Sequence, residues 1–140
     1  KGRGLIISWA PQLEVLSHPS VGGFLTHCEW NSITENLLTG CIHMLCWPQI
    51  AEQRLNARIV VNNWRVGLEI KAEYGNIVKA SAIERVVVEL MQGDTGKDIK
   101  KRTLVLKDVI AQCVQEGGSS QHYLRSLVEN LKRRVKSYKC

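Results

Sequence analysis

The stretch from Trp9 to Gln53 reads WAPQLEVLSHPSVGGFLTHCEWNSITENLLTGCIHMLCWPQIAEQ. It holds three of the four tryptophans, all three prolines and three of the four histidines, so its composition is unlike that of the rest of the chain. Val21–Thr26 (VGGFLT) and Ile42–Cys46 (IHMLC) are short apolar runs bounded by turn residues, and each reads as a buried strand. Between them a helix is predicted to begin near Asn31 or Ser32 and to close at Gly40, the residue type suited to a left-handed helix end. Strand, helix and strand in that order predict a parallel pair.

Working outward, Leu5-Ile6-Ile7 predicts a further buried strand ending at Ser8-Trp9. Gln12 to Ser17 then forms a short helical turn, with Leu13 and Leu16 facing inward. His18-Pro19 stops it, because the residue before proline is pushed out of the α region. Downstream, a helix is predicted over Ala51–Asn62 with Leu55, Ile59 and Val60 on its apolar face, and a strand over Val66–Ile70. Ser81-x-x-Glu84 reads as a capping box opening a helix through Met91 that Gly93 halts. Lys97–Gln115 is long and amphipathic through Ile99, Leu106, Val109, Ile110 and Cys113. A last helix over Gln121–Lys136 carries Leu124, Leu127, Val128 and Leu131 as its stripe. The predicted class is therefore α/β, a parallel sheet with flanking helices and a helical C-terminal tail over about residues 81–136.

Composition bounds the function. With 140 residues, 44% of them apolar and 23% charged, the chain supports one ordinary domain with a buried core. No apolar run approaches the roughly 20 residues that span a bilayer. The five cysteines are scattered without metal-type spacing, so reduced buried thiols are expected, with neither a metal site nor a disulfide framework. The net charge of +6 is uneven, with eight Lys/Arg against nine Asp/Glu up to residue 96 and eleven against four beyond it. A basic tail raises nucleic acid or an anionic membrane as partners. Aromatic interleaving and nucleic-acid motifs are missing, which favours a solvated basic helix and no nucleic-acid partner.

In open α/β sheets ligands bind beyond the carboxyl ends of the strands. Trp9, His27 and the Pro48–Gln53 segment each follow a predicted strand, so all three converge on one rim. A helix N-terminus at His27–Ser32 offers free amides and a partial positive charge, which suits phosphate. No glycine-rich GxGxxG or Walker loop accompanies it. Each residue has a plainer reading as well. Ser32-x-x-Glu35 alone is a capping box, Trp9 a core residue, His18 a structural one, and Glu52-Gln53 partners of a helix dipole.

The ordered set Trp-Ala-Pro-Gln (9–12), His-Pro (18–19), Thr-His-Cys-x-Trp-Asn-Ser (26–32), Glu35 and the closing Glu52-Gln53 resembles the signature box of plant family-1 UDP-sugar glycosyltransferases. EQRLNARIVVNNWRVGLEI and the EGGSS before the last helix are also similar to that family's C-terminal region. The resemblance implies part of a GT-B enzyme, with two Rossmann-like domains facing across a cleft. Residues 1–140 would be the C-terminal UDP-sugar-binding domain and 9–53 the donor box. It further implies that Trp9 stacks on uracil, that the Ala10 backbone pairs with its edge, and that Gln12 and Glu35 take the ribose hydroxyls. His27, Asn31 and Ser32 would hold the diphosphate, while Trp30, Glu52 and Gln53 address the sugar. The implied reaction moves a hexose, by analogy glucose, from a UDP donor to a hydroxyl of a small lipophilic acceptor in plant secondary metabolism. No cofactor or metal is expected, and the enzyme would be a cytoplasmic monomer without membrane insertion. The family's catalytic His and its Asp partner lie in the other domain, so no catalytic residue is assigned here and the chain alone is expected to be inactive. A truncated or degenerate UDP-sugar-binding module without transfer activity is the competing reading.

Two positions depart from the family pattern. Glu29 stands where the family has Gly; at positive φ it would cost about 1 kcal/mol or more in strain. A carboxylate ~6 Å from a phosphate charge adds repulsion of about 3 kcal/mol at an effective dielectric of ~20. Cys41-Ile42-His43 replaces the usual Val-Pro and makes the box one residue longer, which bears on the register of the following strand and so on Glu52 and Gln53.

Overall fold

In a computed structural model of the chain, residues 3–40, 43–71 and 77–137 are described. They form α1 (Gln12–Ser17), β1 (Gly23–Thr26), α2 (Trp30–Thr39), β2 (His43–Cys46) and α3 (Gln53–Arg58), which runs into a π-helical turn at Ile59–Trp64. Next come β3 (Gly67–Glu69), α4 (Ala80–Gln92), α5 (Asp94–Val114) and α6 (Ser119–Ser137). The chain divides into two compact units, Lys1–Lys107 and Asp108–Cys140.

The first unit is an α/β layer built on one parallel sheet of order β1-β2-β3. Gly23 pairs with His43 and Thr26 with Cys46, while Met44 pairs with Gly67 and Cys46 with Glu69. Alternation along β2 sends Leu45 to one face and Met44 and Cys46 to the other. On the Leu45 face, Ile70, Leu90 and Ile99 complete a buried cluster, with Leu68, Val78, Ile83 and Val86 against it. Ile33 and Leu37, one turn apart on α2, are buried, as are Met44 of β2 and Val60 of the π-helical turn. At Gly67 an added Cβ would lie 2.8 Å from the Met44 carbonyl oxygen and 2.9 Å from Val60 Cγ1, so the sheet and the π-helical turn close only over a glycine.

His43 answers the question of register. It opens β2 in line with Gly23, and its ring nitrogens lie 3.0 Å from the Gly22 carbonyl and 3.1 Å from the Gly96 carbonyl. The longer box therefore leaves Met44, Leu45 and Cys46 paired and buried. Its other two residues, Cys41 and Ile42, lie outside the described residues.

Several predicted elements shift. Leu5, Ile6 and Ile7 form no strand and are 85%, 100% and 56% exposed, because no hydrogen-bonded neighbour flanks them among the described residues. Ala51 sits at φ 51°, outside the right-handed helix region, so the helix predicted from Ala51 starts at Gln53. Its register then changes at the π-helical turn, which buries Val60 but leaves Leu55 exposed. Ser81 is not a cap. The N-cap of α4 is Lys79 in extended conformation, and the amides of Ala82 and Ile83 bond its carbonyl, which places Ser81 inside the first turn. Leu13, predicted to face inward, is exposed, while Leu16 is buried as expected. Gly40 does close α2, at φ 67°, and His18 does stop α1 in extended conformation.

In the second unit, Gly117 at φ 81° turns the chain between α5 and α6. The predicted stripe of α6, Leu124, Leu127, Val128 and Leu131, remains solvent-exposed. No helix among the described residues is long and apolar enough to cross a membrane.

Candidate functional site

The carboxyl ends of β1 and β2 lie side by side, and two loops leave them together. After Thr26 the chain must reverse within three residues to enter α2, and Cys28 supplies the bend at φ 69°. Several polar groups of this turn are paired. The Cys28 amide donates to Thr26 Oγ1 at 3.0 Å, and the Cys28 carbonyl accepts from Asn56 Nδ2 at 3.0 Å. The Trp47 amide donates to the Thr26 carbonyl at 2.8 Å, tying the second loop to the first.

The thiols of Cys28 and Cys46 are both fully buried beneath the turn. The Cys28 thiol donates to the Thr26 carbonyl at 3.6 Å, and hydrogen bonding with Cys46 lowers the Cys28 pKa against the opposing effect of burial. The same pairing, reinforced by burial, pushes the Cys46 thiol well above its ordinary value. Buried thiols arranged this way hold the turn and are closed to reagents.

Beyond the turn, α2 begins at Trp30 with Glu29 as N-cap, and the first helix-type bond runs from the Ile33 amide to the Glu29 carbonyl. The amides of Trp30, Asn31 and Ser32 precede that bond and form the open, electropositive end of the helix. His27 and Glu29 flank this end with Nε2 and Oε2 3.6 Å apart, both side chains 49% exposed. Glu29 has φ −62° and ψ 144°, ordinary extended backbone, so the strain expected there does not arise.

Gln12 bridges α1 to α2. Its Nε2 donates to Glu35 Oε2 at 2.7 Å and to Ser32 Oγ at 3.3 Å. Ser32 and Glu35 therefore face a residue 20 or more positions away and do not form a capping box. Trp9 is 77% exposed beside α1, which rules out its reading as core, and Ala10 next to it is half-buried. His18 keeps its structural reading, with Nδ1 accepting from the Ser20 amide at 3.2 Å.

Trp30 stacks at a tilt on Trp64, ring centroids 5.9 Å apart. Gln53 Oε1 accepts the amides of Gln49 and Ile50 at 2.9 and 3.1 Å and so shapes the loop after Trp47-Pro48, while Glu52 is exposed at the start of α3. A polar cleft of about 440 Å³ opens beside this loop, lined by Trp47, Gln49, Arg54, Glu69 and Lys71. A larger one of about 680 Å³, between β3 and α4, contains none of the signature residues.

Tertiary contacts thus bring together Gln12 with Ser32 and Glu35, and His27 with Glu29 at the α2 N-terminus. Sequence reasoning missed Asn56. It sits among the polar residues of QRLNAR, and its target 28 residues away left no local signal.

An open parallel sheet with helices packed on it, and with the turn into α2 at the carboxyl ends of its strands, defines a protein of the α/β class. The family described as UDP-glucoronosyl and UDP-glucosyl transferase matches residues 2–102, and the chain belongs to it. UDP-glycosyltransferase 76B1 of Arabidopsis thaliana is 43% identical over 128 residues, which cover 91% of this chain and 28% of that protein. A 7-deoxyloganetin glucosyltransferase of Gardenia jasminoides is 45% identical over 132 residues, covering 94% of this chain and 26% of that protein. The solved structure of Phytolacca americana UGT2, complexed with UDP-2fluoro-glucose and pterostilbene, superposes with a TM-score of 0.83 at 42% identity, covering 88% of this chain and 28% of that one. The chain spans little more than a quarter of the length of these relatives. The plant family-1 assignment and the GT-B type of α/β fold that the signature implied both hold.

Proposed function

We propose that this chain is the donor-binding part of a UDP-sugar-dependent glycosyltransferase that moves a hexose, glucose, onto a hydroxyl of a small lipophilic acceptor. The observation that carries the reading is the meeting of Gln12, Ser32 and Glu35 beside the open end of α2, with His27 next to it. In this reading the face of Trp9 stacks on the base, with the Ala10 backbone at its edge. The Gln12–Glu35 pair exchanges its mutual bond for bonds to the ribose hydroxyls. His27, Asn31, Ser32 and the first amides of α2 hold the diphosphate, and Trp30, Glu52 and Gln53 meet the sugar. The glucosyl donor analogue and small aromatic acceptor named for the Phytolacca americana structure support the choice of ligands.

In the whole enzyme a base removes the acceptor proton and the acceptor oxygen attacks the anomeric carbon. The bond from that carbon to the diphosphate oxygen breaks and its electron pair leaves with UDP. The positive end of α2 and His27 stabilise the charge that grows on the diphosphate, a role for which no metal is invoked. This chain supplies the donor half of that arrangement, and in this reading it binds UDP-sugar without transferring it.

Calorimetric titration of UDP-glucose into the chain tests the assignment. Trp9→Ala and His27→Ala should each remove most of the binding, at least tenfold. Unchanged affinity in both variants would refute it.

A further inference from the structure

Glu29 is placed where an anionic ligand of α2 would be drawn. As N-cap it lies beside the three open amides of the first turn, and its side chain makes no capping hydrogen bond. The carboxylate turns to His27 instead, 3.6 Å from Nε2. The helix-end field that attracts a phosphate attracts a carboxylate for the same reason. The two compete for one patch of positive potential.

We propose that Glu29 is a built-in competitor for the donor's diphosphate and thereby sets the chain's preference between nucleotide-sugar and free nucleotide. This rests on the donor-binding reading above. UDP ends in a free terminal phosphate and at neutral pH carries about one negative charge more than a UDP-sugar, whose terminal phosphate is esterified. A fixed carboxylate at the diphosphate end therefore penalises UDP more than UDP-sugar. Product is expelled more readily than donor, at the expense of absolute affinity for both. Half-exposure of the pair limits the effect to a modest factor and makes it salt-dependent.

A charge series at position 29 tests this. UDP and UDP-glucose are titrated into the chain, Glu29→Gln and Glu29→Lys by calorimetry, at low salt and at about 0.5 M salt, with Trp9→Ala as reference for the site. Position 29 is exposed and has unstrained extended backbone, so the series leaves the fold intact, which thermal unfolding verifies. Glu29→Gln should tighten UDP about tenfold and UDP-glucose about threefold, Glu29→Lys should go further in the same order, and both gains should shrink at high salt. A steric role would show no such progression with charge. If affinity does not rise along the series, or rises equally for both ligands, while Trp9→Ala still abolishes binding, the competitor role falls and the donor site stands. If neither the chain nor any variant in the series binds either nucleotide, both fall together.

Discussion

At the scale of single residues, the turn between β1 and α2 is held by side chains whose partners are far away in sequence. Asn56 is the clearest case, since it is 6% exposed and its amide donates to the Cys28 carbonyl at 3.0 Å. Asn56→Ala leaves that carbonyl without its partner inside the protein, which costs about 1–3 kcal/mol. Urea unfolding should show the loss, and donor affinity should fall with it because Cys28 aims the helix end. An unchanged midpoint would mean that the turn is held by Thr26 and Trp47 alone. The identity of the signature residues was legible in the sequence. The ordinary backbone of Glu29 and the positive φ of Cys28 were not, because which residue of a turn takes the left-handed bend depends on where both flanking elements are anchored.

At the scale of elements, helix ends and strand pairing follow different rules. Gly40 and His18-Pro19 mark the ends of α2 and α1 by local conformational preference, and both were legible. Ala51 at φ 51° and the π-helical turn at Ile59–Trp64 reflect how α3 meets the sheet, and no periodicity announces them. Gly67 belongs to that meeting. Gly67→Ala drives a methyl against the Met44 carbonyl and Val60 Cγ1 and should cost about 1–3 kcal/mol in thermal or urea unfolding. A neutral substitution would show that β3 can slide away from the π-helical turn at no cost.

At the scale of the molecule, apolar stripes of similar appearance meet different fates. Ile99 of α5 is 1% exposed in the cluster with Leu45, Ile70 and Leu90 of the first unit. Ile99→Ala should cost about 2–5 kcal/mol. Leu127 of α6, in the second unit, is 55% exposed, and Leu127→Gln should move the unfolding free energy by less than about 0.5 kcal/mol. Denaturant midpoints of the two variants side by side check the contrast, and a large loss at Leu127 would contradict the exposure of the α6 stripe.

The sequence by itself determined the α/β class, the parallel sense of the sheet, the ends of α1 and α2 and the family. Each of these rests on periodicity, capping residues or a fixed set of residue types within one short window. Only the tertiary structure decided that Leu5–Ile7 stays out of the sheet, that Ser32 and Glu35 serve Gln12, and that Glu29 leans on His27 at the helix end. A strand exists only where a neighbour completes its hydrogen bonds. A polar side chain likewise takes its role from whichever distant group the fold sets within about 3 Å of it.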